Sequence, residues 1–98
     1  MRVEDGSTAL LIATNRNRVD VVRVLLDLNA NPNVQDRSGW TPLLSAADEG
    51  NAEIVNMLLA KGADLKATLQ GVDAAAFAER KGNRDLAAML RKRAEKPR

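Results

Sequence analysis

The chain has 98 residues, 45% of them hydrophobic and 29% charged, with a formal net charge of +2; this is one domain, able to bury roughly 60–70% of the surface of its unfolded chain. It contains no cysteine, histidine or tyrosine, which removes disulfides, thiolate metal sites and the imidazole that serves as metal ligand and general base. Met1-Arg2-Val3-Glu4-Asp5 is too short and too charged for a signal peptide, and no apolar run approaches the roughly 18 residues of a membrane span, so the expectation is a soluble intracellular protein, cytoplasmic or nuclear, without membrane contact.

The first predicted helix follows Gly6 and carries Leu10, Leu11 and Ala13, with Thr8 at the position expected of its N-cap. Asn17 stands where that helix ends. A second helix carries Val21, Val22, Leu25 and Leu26, and Asn29 marks its end; asparagine is the usual substitute for glycine where a helix stops in a left-handed residue. Beyond a polar turn at Gln35–Trp40 the pattern starts again. Gly6-Ser7-Thr8-Ala9-Leu10-Leu11 is matched by Gly39-Trp40-Thr41-Pro42-Leu43-Leu44, a step of 33 residues, and the same step carries Val21-Val22 onto Ile54-Val55 and Leu25-Leu26 onto Leu58-Leu59.

In this second unit Thr41 is expected to cap the first helix, with Pro42 at its first turn where a missing N–H costs nothing. Asn51 caps the second helix, and Gly50 and Gly62 close the two helices. A third unit follows at a step of 32: Gly39 maps to Gly71, Thr41 to Asp73, Gly50-Asn51 to Gly82-Asn83 and Leu58 to Leu90, one residue having been lost near Leu69-Gln70. There the Leu59 position has become Arg91, as suits a terminal unit whose outer face meets water.

The pairs Val21-Val22 with Leu25-Leu26, and Ile54-Val55 with Leu58-Leu59, follow an i, i+1, i+4, i+5 spacing that gives a stripe two residues wide. Such a stripe touches both the partner helix of its own unit and the next unit, so Leu25 and Leu58 are both expected to be almost fully buried. The first helices are rich in small residues, Ala13, Ala46, Ala47, Ala74, Ala75, Ala76 and Ala78. Close packing of these inner helices curves the stack with the inner helices on its concave side.

The period of about 33 and the segment Thr41-Pro42-Leu43-Leu44-Ser45-Ala46 resemble the ankyrin repeat, a β-turn followed by two antiparallel helices. The resemblance covers about residues 3–93. It implies an all-α fold, an ankyrin-type α-solenoid of helix-turn-helix repeats joined by β-turn or hairpin fingers, in a single domain: repeat 1 at about 3–35, repeat 2 at about 36–68, a C-terminal capping repeat at about 69–93 and a basic tail at 94–98. Departures are the motif histidine, replaced by Leu11, Leu44 and Ala76, and Asp73-Ala74-Ala75 in place of Thr-Pro-Leu. By the resemblance, the fingers at about Gln35–Trp40 and Thr68–Val72 and the inner helices form a concave face that binds a protein or peptide partner.

On that face the candidate contacts are Arg37, Ser38 and Trp40 of the finger, and the ends of the inner helices, Arg16, Asp48, Glu49, Arg80 and Lys81. Trp40, the only tryptophan, either covers its own finger and the Pro42 turn or anchors a partner. The basic, acidic, basic order across the three units reads in two ways: a ladder of surface ion pairs between neighbouring helices, or a charge pattern that selects a partner. No catalytic constellation is present, because the serines, threonines and lysines have no imidazole to activate them and no glycine-rich phosphate loop occurs. No cofactor or metal is expected.

Charge is uneven: from Glu79 to Arg98 there are eight Lys/Arg against three Asp/Glu. A solvated cap and tail accounts for this excess, and a concave face with acids and one aromatic argues against nucleic acid. The other end is apolar. Ile12, Val19, Val21 and Val24 offer themselves to a face without a polar cap, which raises a further role for the domain: an architectural piece whose N-terminal end packs on further repeats, or on a second copy as a homodimer.

Overall fold

The structure, a computed structural model, describes residues 7–95; the first residues of the expected repeat 1, with Gly6, and Lys96-Pro97-Arg98 of the basic tail lie outside the described residues. Three helix pairs follow one another. Unit one is α1 (Ser7–Asn15) and α2 (Val19–Asp27), unit two α3 (Pro42–Glu49) and α4 (Ala52–Ala60), and unit three α5 (Ala74–Arg80) and α6 (Arg84–Glu95), preceded by the short strands β1 (Thr68–Leu69) and β2 (Val72–Asp73).

Helix starts follow side-chain chemistry. The Thr41 hydroxyl accepts from the Leu44 N–H at 3.2 Å, with Pro42 opening α3; the Asn51 side chain accepts from Ile54 N–H at 3.1 Å, and the Asp73 carboxylate from Ala76 N–H at 2.9 Å. Each satisfies one of the N–H groups a helix start leaves without a partner. The capping expected of Thr8, at the start of α1 (Ser7–Asn15), concerns a side chain that lies outside what the structure describes. Helix ends are left-handed where expected, at Asn17, Asn29, Gly50, Gly62 and Gly82.

The inner helices α1, α3 and α5 pack side by side and share more of their surface than the outer helices α2 and α4 do. Ala46, Ala47, Ala74 and Ala78 are buried at these contacts, and small side chains permit the approach. One core runs through the units, from Leu10, Val22 and Leu26 through Leu43, Leu44, Ile54, Val55 and Leu58 to Phe77, Leu86 and Leu90. Polar side chains tie units together at the edges. Asn33 donates to the Gly62 carbonyl at 3.1 Å and accepts from the Asp64 N–H at 2.6 Å, while Asn51 donates to Asn17 at 3.3 Å.

One expectation about burial needs correction. Leu58 is fully buried, but Leu25 is only half-buried. The stripe is right and the neighbour is not the same: unit one covers Leu58, whereas no described unit lies on the corresponding side of Leu25. The missing residue near Leu69-Gln70 also has a definite form. In unit two the finger closes as Asp36 N–H to Trp40 C=O at 3.1 Å, with Gly39 N–H to Asp36 C=O at 3.0 Å and Gly39 left-handed at φ 95°, a three-residue loop. Unit three pairs Leu69 directly with Val72 around Gln70-Gly71, both at positive φ (53° and 80°), which is the two-residue type I′ hairpin. The period drops from 33 to 32 because one loop type replaces the other.

Candidate partner-binding face

The finger of unit two is held by its own first residue. The Asp36 carboxylate accepts from Ser38 N–H at 2.9 Å and from Trp40 N–H at 3.0 Å, so that a short polar side chain fixes both sides of the turn. Arg37 and Ser38 stand exposed at its tip. The finger lies against the next one: a Cβ added at Gly39 would come within 2.9 Å of the Leu69 side chain. Glycine suits that position through its left-handed backbone at φ 95°, while the close approach is to the movable end of the Leu69 side chain.

Trp40 leaves this turn half-buried and lays its ring on Phe77 of α5, with centroids 5.0 Å apart and planes tilted by 41°. The ring is thus not confined to its own finger and the Pro42 turn; it bridges unit two to unit three. The Arg80 guanidinium, one helical turn on from Phe77, stands over the Phe77 ring 5.7 Å from its centroid. Phe77 thus touches both the indole and the guanidinium, with each contact of a kind that contributes about 0.5–1.5 kcal/mol. Among the described residues the indole N–H donates to no protein acceptor, although the backbone N–H of Trp40 does.

Phe77 was not among the residues the sequence pointed to. A signal existed, since it is the only phenylalanine and interrupts the run Ala74-Ala75-Ala76-Phe77-Ala78. At a step of 32 it stands at the register of Ser45. Ser45 in turn is buried, and its hydroxyl donates to the side-chain oxygen of Asn15 in unit one. The same register is filled by a polar contact between units one and two and by an aromatic one between units two and three.

At the ends of the inner helices Lys81 reaches back to Asp48, with Nζ 3.7 Å from the carboxylate. Asp48 is the less exposed of the two, and the acid at the C-terminal end of α3 has a cation from the neighbouring unit against the negative end of the helix dipole. This is the ladder form of the charge pattern for that pair. Glu49 stays exposed, as does Arg16 on the turn after α1. The structure thus brings Trp40, Phe77 and Arg80 together and joins Asp48 to Lys81, while Arg16, Arg37, Ser38 and Glu49 remain at the rim. Among the described residues no three His, Cys, Asp or Glu side chains gather as a metal site, and no helix is long and apolar enough to cross a membrane.

A model of ankyrin repeats in three copies matches residues 1–69 and 31–97. The chain belongs to the ankyrin repeat family. It is 46% identical over 61 residues to the human ankyrin repeat and KH domain-containing protein 1, a match that takes in 62% of this chain and 2% of that protein. It is 44% identical over 61 residues to the Schizosaccharomyces pombe glycerophosphocholine phosphodiesterase gde1, covering 61% of this chain and 5% of that protein. Against the 26S proteasome non-ATPase regulatory subunit 10 of Dictyostelium discoideum it is 40% identical over 62 residues, 62% of this chain and 27% of that one. The chain spans only a small part of the length of these relatives. Ankyrin repeats generally serve as protein-binding modules, and the six helices with one short hairpin found among the described residues are that fold.

Proposed function

We propose that this ankyrin domain is a non-catalytic binding module that holds a protein or peptide segment on the face made by its fingers and inner helices. One observation carries the reading: Trp40 is half-buried on Phe77, with its indole N–H free of protein acceptors among the described residues. A large ring already fixed by its turn and by a neighbouring ring loses little freedom when a partner covers it, which is the property of an interface anchor. Arg37 and Ser38 beside it, and Arg80 and Glu49 at the helix ends, supply polar contacts around that anchor. The Lys81–Asp48 pair at 3.7 Å supports reading Arg16, Arg37, Arg80 and Glu49 as the charges left to meet a partner among the described residues.

The test uses the tryptophan itself. A partner captured on the immobilised domain is titrated against the free domain while Trp40 emission is followed, this being the only tryptophan in the chain. The expected result is a shift in emission on binding and a loss of about 1–2 kcal/mol in affinity for Trp40→Ala, with the helical circular dichroism retained. Unchanged emission together with unchanged affinity returns Trp40 to a purely packing role.

A further inference from the structure

Most acids of units two and three that border the fingers and α5 are already engaged. The Asp36 carboxylate accepts from the N–H groups of Ser38 and Trp40, and that of Asp73 from Ala76 N–H. Asp48 lies 3.7 Å from Lys81 Nζ, and Glu79 lies 2.5 Å from the Arg91 guanidinium. The hydrogen bond and charge of Glu79 hold Arg91 above its ordinary pKa. Glu49 remains. It follows Asp48 by one residue and is turned about 100° from it around the helix, so it does not share the side on which Asp48 meets unit three.

The cations are not used up in the same way. Among the described residues neither Arg37, at the tip of its finger, nor Arg80, at the end of α5, has a carboxylate within ion-pair distance, and both are exposed. The Arg80 guanidinium stands instead over Phe77, 5.7 Å from the centroid of the ring that also carries the Trp40 indole at 5.0 Å. Contact with an aromatic ring satisfies none of the five N–H donors of a guanidinium. The indole N–H likewise meets no protein acceptor among the described residues. Two donor-only side chains are thus held on one ring, and both lack an acceptor.

Resting on the groove proposed above, we infer that the segment held there is acidic: an apolar side chain lies against Trp40, and the carboxylate of a neighbouring aspartate or glutamate takes Arg80. Donors without acceptor capacity select oxygen, and a carboxylate meets the planar guanidinium through two parallel hydrogen bonds. Arg37 draws further acids of the same segment toward the finger tip. An arginine already placed over a ring loses less freedom on binding than one standing free in water.

Selection from a library of short random linear peptides on the immobilised domain, followed by anisotropy titrations of the recovered peptides, tests this. The expected peptides carry Asp or Glu beside an apolar residue, and Arg80→Gln weakens them by about tenfold with helical circular dichroism retained. Replacing the peptide's acids by Gln or Asn should cost about the same, and little more when combined with Arg80→Gln. Arg37→Gln should slow association rather than speed dissociation, and less so at high salt. Peptides that need Trp40 but show no acidic bias overturn the acidic partner and leave the groove standing. An acidic bias that Arg80→Gln leaves untouched belongs to the basic end of α6 and overturns it as well. Peptides indifferent to Trp40→Ala, or a library that yields no binder, overturn the groove together with its partner.

Discussion

Leu25 and Leu58 hold the same position in successive units, yet Leu58 is sealed in the core and Leu25 is half-exposed. Their side chains and their helices are alike; what differs among the described residues is that unit one lies against Leu58 and no described unit lies against Leu25. Burial in a solenoid belongs to the interface between units as much as to the residue.

The two leucines therefore separate in mutational cost. Leu58→Ala removes a side chain packed on every side and is expected to destabilise by about 2–5 kcal/mol, enough to unfold a stack of three units. Leu25→Ala should cost about 1–2 kcal/mol, because part of that side chain already meets water. Urea melts of the two variants measure this. Equal losses would mean that Leu25 is covered in solution.

This pair also marks what was legible in the sequence. The period, the helix stripes and the left-handed asparagines at Asn17 and Asn29 follow from local chemistry, which repeats wherever the motif repeats. The Trp40–Phe77 contact was not legible: comparing units finds what they share, and this contact joins unlike positions of two units. Likewise the charge order on the inner helices was visible, but which cation takes Asp48 depends on the reach of Lys81 across the groove.

The Asp48–Lys81 pair is largely open to solvent on the lysine side, so it stabilises by no more than about 1 kcal/mol. Lys81→Ala and Asp48→Asn should each lower stability by less than that. The double variant should lose less than the sum of the two if the pair is real in solution. Raising salt well above physiological strength should shrink the differences, because exposed pairs are screened. A thermal-melt cycle at two ionic strengths decides it, and additive losses that ignore salt would remove the pair from the account of the groove.

The finger of unit three offers the sharpest test of how the units are joined. A type I′ turn asks for positive φ at both central residues, and the favoured pair is Asn-Gly. Gly71 meets the demand without cost, but Gln70 holds φ 53° with a side chain that disfavours it. Gln70→Asn should therefore stabilise the domain by about 0.5–1 kcal/mol, without touching the core. Gly71→Val, which forces a β-branched residue to φ 80°, should cost more than about 1 kcal/mol. Restoring the lost residue by inserting one between Gln70 and Gly71 should also destabilise the stack, since Thr68 and Asp73 would no longer face each other and Asp73 would be drawn from the cap of α5. Chemical denaturation of the three variants gives the order. A gain from the insertion, or a loss from Gln70→Asn, would show that unit three closes its finger as unit two does, with the longer loop.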